Sequence, residues 1–571
     1  MGRGYRTFTQ DWHHTGMTQA IRASIHPRPG KTTAIFRSNM ALPHIEKALG
    51  ALFIIASAYT LPVSAQAQQT GGTPVPVATA TALPLLGDGS EMSSNEERRL
   101  GDRIVRELYR DPDYFDDPVL ADYVQDIWQP LLAAARLRGD LSTELDERFA
   151  WQILLGRDRS VNAFALPGGY LGLNLGLLAV VTSRDELASV LGHELSHVTQ
   201  RHISRLMTKN SQQTPWLIGA MILGALAASK GNSSGEALMV GGQALTAQSQ
   251  LNFSRDMERE ADRIGFGVMT QAGFEAAGFV SMFDKLQQAA RHNDSGAYPY
   301  LRSHPLTTER IADMHSRLPL GSTHGTAPVP TVLHAMMVAR ARVLANSGVD
   351  TLRTWQAQVN DAAFSALAPA AQAGLLYGAT LAASRLRDPA LSQRNVQRLQ
   401  GLVASDAAAL TQARWLGVEM LLAANQGKPT NPGLTPLAAL SPWAGVGKQP
   451  RARLFLQTQV ALQNPDAATL ETAAQGLQDR VASHAQDAAA WHWLARVYAA
   501  QNQPLRALRA QAEERVAQFD YTGALDRLRA AQEQHHDRST KPDNAEHIDA
   551  SIIDTRRRQV EALLKEQALD R

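Results

Sequence analysis

The chain has 571 residues, of which 44% are hydrophobic and 19% charged, and its net charge is +2. That length and composition imply several domains with buried cores, and so even a charge balance gives no electrostatic reason for a nucleic-acid partner. There is no cysteine. This excludes disulfide frameworks, thiol nucleophiles, thiolate metal sites and a lipid-modified leader, so any metal must be held by His, Asp or Glu.

Near the N-terminus, Lys47 precedes an apolar run from Ala48 to Leu61, followed by the small-x-small pattern Ser64-Ala65-Gln66-Ala67. Residues 1–67 therefore read as a secretory signal peptide, with Met40 as an alternative start that would give a leader of ordinary length. The run is shorter than a bilayer span. Residues 68–92, rich in Thr, Pro, Gly and Ala, read as a flexible linker.

Two overlapping S-x-x-E boxes at Ser93–Glu97 predict a helix through Leu100, Ile104 and Leu108. A second helix is expected over Pro118 to Arg136. Phe149–Leu155, Ala163–Leu166 and Tyr170–Leu175 read as strands, the last two separated by Pro167-Gly168-Gly169. The expected product is a small antiparallel sheet with one edge near the active site. Ser183-Arg184-Asp185-Glu186 opens the next helix.

The apolar stretch Trp216–Ala228 is again short of a membrane span and reads as a buried helical hairpin. Ser254 to Gly273 is expected to be helical, and 319–332, with three prolines and two glycines, reads as an interdomain linker. Residues 333–571 are Ala-rich with no strand signals. Trp491-x-x-Leu494-Ala495-x-x-Tyr498 followed by Ala507 fits half of a tetratricopeptide repeat, and Gly523-Ala524-Leu525-x-x-Leu528 resembles the second helix of another. Gln511 stands where an aromatic is usual, and Asn425–Pro450 interrupts any regular array. The expected fold class is thus α+β: a mainly helical domain over 93–318 with a small sheet, then an all-α repeat domain.

The strongest motif is His193-Glu194-Leu195-Ser196-His197. Spacing of four on a helix sets both imidazoles on one face, where both reach one ion. Glu194 sits beside that face and suits a general base that takes a proton from a water acidified by zinc. Leu187, Val190 and Leu191 make the rest of the helix apolar, as a buried helix presenting His-Glu-His to a cleft requires.

A catalytic zinc needs a third protein ligand and one open position. The metzincin pattern would need a histidine where Ile203 stands, and His202, one residue earlier, is assigned a supporting role behind the metal. The better candidate lies in Ser254-Arg255-Asp256-Met257-Glu258-Arg259-Glu260-Ala261-Asp262. Glu258 and Asp262 share a helical face, so Glu258 can ligate while Asp262 orients an imidazole or polarises the intermediate. Ala261 permits close helix approach, and Glu260 points elsewhere.

These motifs resemble the M48 zinc metallopeptidases. H-E-L-S-H followed after roughly sixty residues by E-x-E-A-D-R-I-G, with Asn162-Ala163-Phe164 and Pro167-Gly168-Gly169 before them, carries the resemblance. With the export signal and C-terminal repeats, it is nearest to the periplasmic beta-barrel assembly-enhancing proteases. The resemblance implies one Zn2+ per chain on His193, His197 and Glu258, Glu194 as base, and Asp262 as a second catalytic carboxylate. It also implies that His304, in the pair His304-Pro305, caps the zinc and holds the enzyme silent; an aid to catalysis is the opposite role for the same residue. Periplasmic localisation, misassembled outer-membrane proteins as substrates, and a repeat domain docked on the barrel-assembly machinery follow as expectations. The competing reading is a chaperone or assembly adaptor acting through the repeats with a largely latent protease.

Overall fold

The computed structural model describes residues 92–209, 253–291, 297–318, 330–425, 440, 449–463, 465–538 and 544–569. The signal peptide, nearly all of the 68–92 linker, the Trp216–Ala228 hairpin, most of the 319–332 linker and most of 425–450 lie outside the described residues.

Helix α1 (Ser94–Leu108) starts at a complete capping box between Ser93 and Glu96. Two-residue strand β1 (Tyr114–Phe115) follows. Asp117 caps α2 (Pro118–Arg138), which buries Val124, Ile127, Trp128 and Leu131 and stops at Gly139. After α3 (Thr143–Arg148) come β2 (Gln152–Gly156), β3 (Ala163–Leu166) and β4 (Tyr170–Asn174).

The four strands lie in the order β1-β2-β4-β3. The sheet is mixed, which corrects the expected antiparallel one: β3 and β4 are antiparallel, but β2 runs parallel to β4 from Gln152↔Tyr170 to Gly156↔Asn174. The cause is strand order. Gly168 and Gly169, at φ of 75° and 85°, close a tight hairpin that only glycine enters without strain. That hairpin folds so that β4, not β3, lies beside β2, and two strands that both oppose β3 are parallel to each other. Strand alternation in a sequence carries no information on which neighbour is chosen.

Next come α4 (Leu175–Val180), α5 (Arg184–Thr199, capped by Ser183) and α6 (His202–Lys209). They are followed by α7 (Arg255–Gln271, capped by Ser254), α8 (Ala277–Ala290), the single turn α9 (Tyr300–Ser303) and α10 (Thr308–Ser316). α5 is buried on nearly every residue. It packs against α2, α7, α8 and β3.

The remaining described residues are helical: α11 (Val332–Ala345), α12 (Val349–Asn360), α13 (Pro369–Arg385), α14 (Pro389–Leu402) and α15 (Ala407–Ala424). Then come α16 (Arg451–Gln463), α17 (Ala467–Ser483), α18 (Ala488–Ala500), α19 (Pro504–Ala517), α20 (Tyr521–Arg538) and α21 (Asn544–Leu569). Proline at the first turn of α13, α14 and α19, and Asp388, Asp406, Asp466 and Asp487 as caps, mark the starts. From α12 to α21 each helix packs on the next, and α11 packs on α13. The fold is therefore α+β, mainly helical with one small sheet.

The helical array closes back on the N-terminal part at three places. At its start, His334 Nδ1 meets the Tyr123 hydroxyl at 2.6 Å, and Arg340 is paired with Asp117 at 2.6 Å. In the middle, Arg451 binds Asp116 and Asp487, and Asp122 of α2 accepts the backbone N–H of Arg451 and Ala452, capping α16 from outside. Near its end, Phe519 stacks on Tyr109 with ring centroids 6.3 Å apart. One buried apolar cluster runs without a break from α2 and α5 into α11, α13 and α15. No helix among the described residues is long and apolar enough to cross a membrane.

Candidate metal centre

Helix α5 carries His193, Glu194 and His197. The histidines are one turn apart, and their Nε2 atoms face each other at 3.0 Å. Helix α7 lies against α5 at a contact between Gly192 and Gly265, where a Cβ on Gly265 would come within 2.9 Å of the Gly192 carbonyl and the His193 nitrogen. This approach brings in Glu258, with Oε2 3.6 Å from His193 Nε2 and Oε1 3.5 Å from His197 Nε2. His304, just after α9, completes the group: its Nδ1 is 3.3 Å from His193 Nε2 and 3.0 Å from Glu258 Oε1.

Donor atoms of His193, His197, Glu258 and His304 all lie within 4.8 Å of one another, and all four residues are buried. Tetrahedral zinc with bonds of ~2.0–2.1 Å would hold its donors about 3.4 Å apart. The observed 3.0–3.6 Å spacings fit an ion at their centre, and the nitrogen and oxygen donor set suits zinc.

A second layer fixes these groups. Asp262 Oδ1 lies 2.9 Å from His193 Nδ1. Arg310 from α10 donates to both Asp262 oxygens, lies 2.8 Å from Glu258 Oε2 and donates to the Pro305 carbonyl. On the other side, His202 Nδ1 is 2.9 Å from His197 Nδ1, and its Nε2 is 3.1 Å from Glu260. Glu260 does stand away from the donor atoms, yet it is coupled to them through His202. Tyr300 stacks on His304 at 4.7 Å and Phe253 on His197 at 3.9 Å between centroids.

Glu194 is fully buried, and neither carboxylate oxygen has a hydrogen-bond partner among the described residues. Its nearest charged neighbour is His304 Nε2 at 3.5 Å. A buried carboxylate so arranged can accept a proton from a reacting group.

The electrostatics favour the ligating form at Glu258 and His197 and the protonated form at His304. Burial alone would raise Glu258 and Asp262; the His304 imidazole, His193 and Arg310 outweigh it at Glu258, the Arg310 bonds and His193 at Asp262, and both fall below the usual carboxylate range. Burial, then the neighbouring histidines, hold His197 well below its ordinary value, and burial brings His202 down to about 4. Burial opposes the protonation of His304, but the Glu258 and Glu194 carboxylates prevail and raise it.

Every residue singled out from the sequence for this site thus comes to one place. Arg310, Tyr300 and Phe253 were missed. Arg310 looks like any helix arginine in Thr308–Ser316, and the one available signal was its position shortly after His304-Pro305.

A helix-borne His-Glu-x-x-His motif with a carboxylate from a second helix, set beside a small sheet, defines the class: this is a metallopeptidase domain. The model of Peptidase family M48 matches residues 121–318, so the chain carries an M48 domain. The chain is 34% identical over 272 residues to the putative beta-barrel assembly-enhancing protease of Vibrio cholerae, covering 47% of this chain and 53% of that protein. To the beta-barrel assembly-enhancing protease of Escherichia coli K12 it is 33% identical over 245 residues, or 42% and 47% of the two chains. The mitochondrial metalloendopeptidase OMA1 of Saccharomyces cerevisiae is 27% identical over 201 residues, or 34% and 55%. The chain spans about half the length of these curated relatives.

Proposed function

We propose that the chain is a zinc-dependent endopeptidase of the periplasm that removes misassembled outer-membrane proteins. The observation that carries the chemistry is the convergence of His193, His197, Glu258 and His304 beside the buried, unpartnered carboxylate of Glu194. His193, His197 and Glu258 hold the metal. When bound, zinc supplies a Lewis acid that polarises a peptide carbonyl and acidifies water. Glu194 takes the proton from the attacking water and passes it to the leaving amine. Asp262 fixes the orientation of His193 and is itself held by Arg310. His304 would supply a fourth donor and so hold the site silent.

The named activity of the relatives in beta-barrel assembly supports the choice of substrate. Residues 93–318 form the protease domain and 333–571 a tetratricopeptide-like array that docks on the barrel-assembly machinery; consecutive helix pairing from α12 to α21 supports that reading. Metal analysis with proteolysis of an unfolded protein tests the chemistry. We expect about one zinc per chain, lost in His193→Ala and Glu258→Ala. Glu194→Gln should keep the zinc and lose about two to four orders of magnitude in rate; activity within a few-fold of wild type would overturn the assignment. If the chain acts only as an adaptor, Glu194→Gln will still complement a deletion strain.

A further inference from the structure

A cavity of about 290 Å³ lies where the first helices of the array meet the start of α5. Val338 and Arg342 line it from one face of α11, Ala371 and Leu375 from one face of α13, and Trp355 from α12. Val181 and Thr182, just before the Ser183 cap of α5, complete the lining on the protease side. Trp355 is a fixed wall: it is 9% exposed, and a Cβ on Gly378 would meet its ring at 2.5 Å.

Arg342 apart, the polar side chains of this lining are already bound. His334 meets the Tyr123 hydroxyl through Nδ1 and the Val181 carbonyl through Nε2, and Thr182 Oγ1 donates to Glu186 at 2.8 Å. Glu186 in turn is neutralised by Lys285 at 2.5 Å. Arg342 Nε donates to the Ala179 carbonyl at 2.8 Å, and no carboxylate among the described residues pairs with its guanidinium. Burial pulls that guanidinium below its ordinary value, with no acid to offset it. The cavity thus offers apolar walls and one unanswered positive charge. An occupant that satisfies both has an apolar body and a single anionic end, and the planar guanidinium fork matches a carboxylate. A peptide segment fits less well, because its N–H and C=O groups would lose water and find no partners on these walls. A phosphate monoester would bring a second charge without a counterpart. The volume is at the small end for ligand pockets, which suits one alkyl chain of medium length and not a diacyl lipid.

We propose that this cavity binds a medium-chain fatty carboxylate, with the alkyl chain between α11 and α13 and the carboxylate on Arg342. The inference stands apart from the proteolytic reading, because none of these residues belongs to the metal centre. Isothermal titration of the full, zinc-loaded chain with decanoate, decanol and decyltrimethylammonium, each below its micelle-forming concentration, tests it. Decanoate should saturate a single site and bind about tenfold tighter than decanol, with the cation weakest. Arg342→Gln keeps a donor for the Ala179 carbonyl but removes the charge, so decanoate should then bind no better than decanol. Ala371→Trp sets a ring into the cavity from an exposed position on α13 and should abolish saturable binding of both, with thermal melts confirming that each variant folds. Equal affinities of decanoate and decanol for the wild type overturn the proposal. So does a carboxylate preference that survives Arg342→Gln, or binding unchanged in Ala371→Trp. A hexapeptide with apolar C-terminal residues and a free carboxylate serves as competitor. If it binds more tightly than decanoate, and its C-terminal amide does not, the cavity is a chain-terminus site and the fatty carboxylate is refuted.

Discussion

Arg310 grips Asp262 with two hydrogen bonds, Nε to Oδ2 at 2.6 Å and Nη2 to Oδ1 at 2.7 Å, from a helix 48 residues further along the chain. Arg310 is only 4% exposed, and the same guanidinium reaches Glu258. Removing it leaves two buried carboxylates without their counter-charge. Arg310→Ala should therefore cost about 3–5 kcal/mol in urea denaturation, while Arg310→Lys keeps the charge but loses the planar fork and should recover part of that. A loss under about 1 kcal/mol for Arg310→Ala would mean that the pair contributes little.

Gly265→Ala tests the helix contact that aligns the ligands. The added Cβ meets backbone atoms of Gly192 and His193, which cannot rotate away. The helices must separate, at a cost of about 1–3 kcal/mol, and zinc affinity should fall by about tenfold as Glu258 moves from the histidines. Thermal melts of the zinc-free and zinc-bound forms measure both. An unchanged zinc affinity would show that the spacing of α5 and α7 tolerates the methyl group.

His304→Ala separates two roles of opposite sign. As a resting ligand, His304 fills the position that water needs, and its removal should raise hydrolysis of unfolded protein. As an imidazolium that stabilises the oxyanion, its removal should lower the rate by about a hundredfold. Its contacts with His193 Nε2 and Glu258 favour the first outcome. An unchanged rate would leave His304 with neither role.

Asp122 gives a pH signature for the contact between α2 and α16. Burial, only partly offset by the N–H groups of Ala452 and Arg451 and by the Arg451 charge, raises its carboxyl to about 6, against about 3.9 in an unfolded chain. The folded state therefore binds the proton more tightly. The stability from this group is full below pH ~4 and is lost as pH rises through ~6. Relative to Asp122→Asn, the wild type should lose on the order of 1–2 kcal/mol between those limits, measured by denaturation at stepped pH. A difference that stays flat, or rises with pH, contradicts the raised value.

The chemistry was legible because its elements are local. His193 and His197 share a helix face through spacing alone, and Ser93, Ser183 and Ser254 cap their own helices three residues on. Arg310 was not legible, because its value depends on Asp262 and Glu258 on another helix. The mixed sheet was missed for a similar reason: the Pro167-Gly168-Gly169 turn dictates a hairpin but not which of its strands lies inside.

By itself, then, the sequence determined the helix starts, the tight hairpin, and the pairing of His193 with His197 along α5 and of Glu258 with Asp262 along α7, all set by backbone geometry within a few residues. Tertiary structure alone decided the strand order, the glycine contact that sets α7 against α5, the arrival of His304 and Arg310, and the return of Phe519 onto Tyr109. Those contacts join residues far apart in the chain. Their formation depends on which packed arrangement best offsets the entropy of closing long loops, and no local pattern encodes that choice.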